Sequence, residues 1–102
     1  MARLVRATAI GELGSSHGVQ FEDAGPAVAV FSVDGTPYAI GGTCPHRAGP
    51  LGEGRLEGTV VTCPWHGWRF DVTTGRCLSH ATACVPVFEA RVDGGDVILD
   101  LP

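Results

Sequence analysis

Glycine and proline interrupt this sequence so often that they limit the secondary structure it can form. Fifteen glycines and seven prolines are spread over 102 residues, and both residue types destabilise the interior of a helix. The apolar runs between them favour Val, Ile, Phe and Thr and lack helical spacing, which is typical of strands. The sequence therefore predicts an all-β fold of short strands, and no internal repeat is evident.

Two β-hairpins can be placed from the sequence. In the first, residues 28–33 and 36–40 flank Asp34-Gly35, a pair that readily takes the positive φ angles of a two-residue turn. In the second, apolar and polar residues alternate over 88–92 and 97–101, on either side of residues 93–96. We expect an antiparallel β-sandwich, and the chain length fits a single domain over residues 1–102.

Composition and charge exclude several classes of protein. Hydrophobic residues make up 44% of the chain, but no apolar run approaches the roughly 20 residues of a membrane helix. The apolar stretch at residues 7–10 is too short for a signal peptide, so we expect a soluble cytoplasmic protein. The net charge is −4 and the seven basic residues are scattered arginines, which is unlike a nucleic-acid-binding surface.

The candidate ligands lie in two segments rich in glycine and proline, residues 41–54 and 63–75, on either side of the β-prone run 60–62. The first segment carries Cys44 and His46, and the second carries Cys63 and His66, with sixteen residues between His46 and Cys63. A two-iron cluster with two cysteines on one iron and two histidines on the other needs this set of ligands. A structural zinc site also uses two cysteines and two histidines, although zinc motifs usually pair Cys with Cys and His with His.

On these residues the chain strongly resembles the Rieske ferredoxin family, whose motif Cys-x-His, about sixteen residues, Cys-x-x-His is matched in full. The resemblance covers roughly residues 28–101, and the first 27 residues add little to it. It implies a Rieske-like sandwich with a two-loop cluster-binding subdomain at about residues 41–80 and one [2Fe-2S] cluster per chain. Cys44 and Cys63 would hold the buried iron, and His46 and His66 the outer iron.

The resemblance also separates two types of family member. Relatives in respiratory and photosynthetic complexes carry an extra cysteine in each loop, joined as a disulfide, at positions that resemble Gly49 and Trp65 here. The chain looks instead like the monomeric ferredoxin component of a ring-hydroxylating dioxygenase in aromatic hydrocarbon catabolism. Such a component carries electrons from a flavin-dependent ferredoxin reductase to a terminal oxygenase and has no catalysis of its own. The small Rieske subunit of an assimilatory nitrite reductase is the alternative.

Residues outside the ligand set receive simpler interpretations. Cys77 and Cys84 are expected to be free thiols in a reducing compartment. His17 and His80 are expected to be exposed and are assigned no role. Trp65 and Trp68 are expected to fill space near the cluster.

Overall fold

The computed structural model describes residues 3–23 and 25–102. Within these residues the strands form two antiparallel sheets, with short 3₁₀ turns at Ile10–Glu12 and Leu51–Glu53. No helix in this part of the chain is long and apolar enough to cross a membrane. The strands are β1 (Arg3–Ala9), β2 (Val19–Phe21), β3 (Val28–Val33), β4 (Thr36–Gly41), β5 (Arg55–Glu57), β6 (Val60–Thr62), β7 (Arg69–Asp71), β8 (Val87–Asp93) and β9 (Asp96–Leu101).

The larger sheet has six strands in the order β1-β9-β8-β4-β3-β2 and curves into a half-barrel. The hairpin β3–β4 turns at Asp34 and Gly35, whose φ angles of 51° and 83° are both positive, as its two-residue turn requires. The hairpin β8–β9 turns at Gly94 and Gly95, with φ angles of 59° and 85°. Both predicted hairpins and the antiparallel β-sandwich are confirmed.

The smaller sheet, in the order β5-β6-β7, packs against the larger one through a shared hydrophobic core. Strand β3 supplies residues to two core clusters because its side chains alternate between its faces. Val28 and Val30 join the cluster inside the half-barrel, whereas Ala29 and Phe31 join the cluster that reaches the smaller sheet. The end of this hairpin away from its turn is therefore buried on both faces and gives the smaller sheet a rigid base.

The start of the chain contains two strands that the sequence did not predict. Strand β1 pairs with β9 along its whole length, and β2 pairs with β3. The sequence placed no strand in the first 27 residues because β1 carries Arg3 and Arg6 and buries only Thr8, so it lacks a clear apolar alternation. Strand β2 has only three residues, too few for a pattern to be visible.

Candidate metal centre

The first loop is closed by backbone hydrogen bonds around Cys44. Its amide N–H donates to the carbonyl oxygen of Gly49 at 2.9 Å, and its own carbonyl oxygen accepts from the N–H of Ala48 at 2.8 Å. Thr43 and Pro50, which flank the loop, form an antiparallel bridge. The loop is thus a tight six-residue turn with the cysteine at its base.

The second loop repeats this pattern around Cys63. Its N–H donates to the carbonyl oxygen of Trp68 at 2.7 Å, and its carbonyl oxygen accepts from the N–H of Gly67 at 3.0 Å. Thr62 and Arg69 flank the loop as a pair in the ladder between β6 and β7. Both loops therefore have the same length, the same closing bonds and a cysteine in the same place.

A left-handed residue closes each loop four positions after its cysteine. Ala48 has a φ angle of 60° and Gly67 a φ angle of 79°, and this conformation turns the chain back toward its cysteine. The two loops are therefore a local structural repeat, which the sequence analysis missed. Its sequence signal is Thr-Cys-Pro, which occurs at residues 43–45 and again at 62–64.

The two cysteines from different loops lie together in the core. Cys44 and Cys63 are 1% and 2% exposed and belong to the cluster that joins the two sheets. Burial raises the pKa of the Cys44 thiol, and its hydrogen bond with the Cys63 thiol acts in the same direction. The backbone N–H groups of His46 and Arg47 donate to the Cys44 sulfur and oppose this effect. Such N–H donors also stabilise sulfur that carries negative charge.

The two histidines from different loops also meet, but at the surface. His46 and His66 are exposed, and their ring centroids are 4.9 Å apart with the planes at 86°. Desolvation lowers the pKa of His46, and the neighbouring His66 and Arg47 act in the same direction. His46 therefore favours the neutral imidazole, which is the form that binds a metal.

Each loop carries one cysteine and one histidine. The fold nevertheless brings the two cysteines together and the two histidines together. A binuclear iron centre with two sulfur ligands on one iron and two nitrogen ligands on the other fits this pairing of Cys44 with Cys63 and His46 with His66. A tetrahedral zinc ion would need all four side chains around one point. In residues 3–23 and 25–102, no three His, Cys, Asp or Glu side chains form a group that could hold a single ion.

Two aromatic residues outside the ligand set extend this site. Trp68 stacks on His46, with ring centroids 4.6 Å apart and planes at 11°, and His80 stacks on Trp68 at 4.0 Å and 29°. Trp68 therefore packs beside the site as predicted, but the packing prediction for Trp65 is wrong, because its side chain is 58% exposed. His80 was assigned no role from the sequence. No local pattern marks His80, because its contact depends on how the chain after β7 folds back.

The other two cysteines are free thiols, as predicted. Cys84 forms an antiparallel bridge with Arg76, and the N–H of Cys77 donates to the carbonyl oxygen of Ala83. Adjacent residues of an extended chain point to opposite faces, so the side chains of Cys77 and Cys84 diverge. Cys77 is buried and Cys84 is exposed.

A half-barrel that carries a three-stranded sheet with two matched cysteine and histidine loops defines a Rieske-type iron–sulfur protein. The sequence profile of the Rieske [2Fe-2S] domain matches residues 4–89. The chain belongs to this family, and its cofactor is a [2Fe-2S] cluster. The match begins within β1, so the similarity to the family starts earlier than residue 28.

Curated relatives of this chain are ferredoxins of dioxygenase systems. The ferredoxin component of the naphthalene 1,2-dioxygenase system of Pseudomonas aeruginosa is 37% identical over 89 residues, which cover 86% of this chain and 84% of the relative. The 3-phenylpropionate/cinnamic acid dioxygenase ferredoxin subunit of Escherichia coli K12 is 39% identical over 82 residues, which cover 78% of this chain and 77% of the relative.

Solved structures with the same fold include two from ferredoxins and one from a different system. The ferredoxin of Sphingomonas yanoikuyae B1 has a TM-score of 0.87 at 26% identity and covers 98% of this chain and 100% of its own. A chain in the complex of reduced oxygenase and oxidized ferredoxin in carbazole 1,9a-dioxygenase has a TM-score of 0.84 at 33% identity. The match covers 94% of the present chain and 91% of that chain. The putative NADH-dependent nitrite reductase small subunit of Mycobacterium tuberculosis has a TM-score of 0.83 at 28% identity. The match covers 100% of the present chain and 97% of that subunit.

Proposed function

We propose that this chain is the one-electron carrier of a multicomponent ring-hydroxylating dioxygenase. The observation that carries the proposal is the layered site, in which a buried cysteine pair lies beneath an exposed histidine pair. When bound, the [2Fe-2S] cluster accepts one electron and gives it up again. The protein supplies the ligands, a dry shell on the cysteine side and an accessible edge on the histidine side.

The ligand assignment follows from the same layering. Cys44 and Cys63 hold the inner iron, where the surrounding core excludes water, and His46 and His66 hold the outer iron. The closing hydrogen bonds of the two loops fix where each cysteine lies before any metal arrives. This arrangement lowers the conformational entropy lost on cluster binding. Residues 41–80 form the cluster-binding subdomain of a single domain that spans residues 1–102.

The partners are other proteins. A flavin-dependent ferredoxin reductase delivers the electron and a terminal oxygenase receives it, at the exposed edge formed by His46 and His66. Support comes from the relatives in naphthalene and phenylpropionate dioxygenase systems and from the similarity to a chain of an oxygenase–ferredoxin complex. The chain works as a monomer in the cytoplasm, where reducing conditions keep Cys77 and Cys84 as thiols. The oxygenase, and not this chain, carries out the chemistry on the substrate.

Cross-reconstitution tests the proposal. The purified chain replaces the native ferredoxin in an assay with the reductase and oxygenase of a naphthalene dioxygenase system, and product formation is followed. We expect turnover that depends on the chain and is lost in His66→Ala but retained in His17→Ala, which removes a histidine outside the ligand set. A chain that holds its cluster and is never reduced by any ferredoxin reductase would exclude the carrier function.

A second candidate function is the small subunit of a nitrite reductase, which the structural similarity over the whole chain supports. In this second function the chain would bind a large subunit stably, whereas as a ferredoxin it would exchange between partners. Gel filtration of the chain with a nitrite reductase large subunit separates the two. Co-elution of the two chains at a one-to-one ratio, together with no electron transfer to a dioxygenase, would favour this second function.

A further inference from the structure

The ring of His80 reaches the candidate ligand His46 through one intervening side chain. Trp68 stacks on His46 with nearly parallel planes, 11° apart, and His80 stacks on Trp68 with ring centroids 4.0 Å apart. Trp68 is half-buried, while His80 lies at the surface. The three rings therefore form a continuous stack from the candidate cluster site to solvent.

Hydrogen bonds place His80 beside Trp68. The N–H of Leu78 donates to the carbonyl oxygen of Arg69 at 2.8 Å, and the N–H of Arg69 donates to the Oγ of Ser79 at 3.1 Å. These bonds tie residues 78 and 79 to the residue that directly follows Trp68. The position of His80 is therefore determined by the backbone of β7 and not by a flexible tether.

The two candidate histidine ligands differ in the ring contacts that hold their imidazoles in place. His46 has the parallel stack with Trp68 behind it as well as the edge contact with His66. Among the ring contacts of the described residues, His66 has the edge contact with His46 alone. The imidazole plane of His46 is thus restrained from two directions and that of His66 from one.

We propose that His80 is a positioning residue for the cluster, because its stack on Trp68 holds the indole against His46 and so fixes the plane of that imidazole. The inference rests on the proposed role of His46 as an iron ligand. Residues that orient a ligating histidine govern how well the metal is held. The indole also covers part of His46 and limits the approach of water and chelators to the bond between imidazole and iron.

The test makes two measurements. The first is the rate of iron release from the oxidised protein to a chelator, monitored as the loss of visible absorption. The second is the EPR spectrum of the reduced protein. His80→Ala removes the outer ring, His80→Phe keeps a ring that can stack, and His17→Ala removes an exposed histidine elsewhere. We expect about tenfold faster iron release and altered g values for His80→Ala. His80→Phe should stay within about twofold of the natural protein, and His17→Ala should match it.

Ser79→Ala provides a second variant that leaves all three rings in place. Because it removes the acceptor for the Arg69 N–H, it should loosen the stack and give a smaller increase in iron release than His80→Ala. Loss of the cluster in His80→Ala with retention in His80→Phe would also support the inference. It is overturned if His80→Ala keeps the natural rate and spectrum, or if His80→Phe is as defective as His80→Ala. Natural protein that binds no cluster would instead refute the proposed function.

Discussion

A β-carbon added to Gly49 would lie 2.6 Å from the Sγ of Cys63, so the backbone of the first loop packs directly against the sulfur of the second. This contact brings the two loops close enough for their cysteines to meet. The absence of a side chain at Gly49 permits the close approach. Glycine at this position is therefore part of the site.

Replacement of this glycine should weaken the site. Gly49→Ala forces the Cys63 side chain or the loop to move, and overpacking of this kind costs about 1–3 kcal/mol. We expect a lower melting temperature and less iron per chain. Gly11→Ala is the matched control because a β-carbon there meets nothing within 4 Å. Equal iron content in the two variants would show that the contact is unimportant.

Gln20 connects strand β2 to the base of the first loop. Its side-chain amide donates to the carbonyl oxygen of Gly42 at 2.9 Å, and its side-chain oxygen accepts from the N–H of Gly52 at 2.7 Å. Gln20→Leu leaves the buried N–H of Gly52 without its partner, which costs about 1–3 kcal/mol, whereas the Gly42 carbonyl oxygen keeps the N–H of Leu51 at 2.9 Å. Denaturant unfolding measures the loss. Glu22→Gln is the control, since it changes only an exposed contact at 3.4 Å and should stay within about 0.5 kcal/mol.

The cluster-free protein should become less stable at alkaline pH. Burial raises the pKa of the Cys44 thiol, so the folded state holds this proton more tightly than the unfolded chain. The resulting stability is fully present below the ordinary thiol pKa of about 8.5 and is lost as the pH rises through the raised value. Cys44→Ala should reduce this pH dependence, while Cys84→Ala, which removes an exposed thiol, should not. Urea unfolding of apo protein across this pH range decides between these outcomes.

The reduction potential should lie near the low end of the Rieske range, about −150 mV and not about +300 mV. Hydroxyl groups that donate hydrogen bonds to the cluster or to its cysteine ligands stabilise the more negative reduced state and so raise the potential. Phe70 is fully buried and has no hydroxyl, and the ring of Trp68 is stacked on His46. Voltammetry at neutral pH measures the potential, and a midpoint well above 0 mV would contradict this assignment.

Local chemistry explains what could be predicted from the sequence. The turn at Asp34-Gly35 is specified by the positive φ angles that these two residues tolerate, and the ligand pairs are visible as short motifs. Two contacts could not be predicted from the sequence, because they join segments that only the folded sheets bring together. They are the contact between Gly49 and Cys63 and the stack of His80 on Trp68. Strand β1 was missed for a similar reason, since its stability comes from pairing with β9 at the other end of the chain.

The central claim is that Cys44 and Cys63 hold one iron of a [2Fe-2S] cluster and that His46 and His66 hold the other. Mössbauer spectroscopy of ⁵⁷Fe-enriched protein tests it most directly because it resolves the two irons separately. We predict two inequivalent iron sites in equal amounts, with the electron of the reduced protein localised on the site with nitrogen ligands. Two equivalent sites with sulfur ligands only, or a single metal ion per chain, would contradict the assignment.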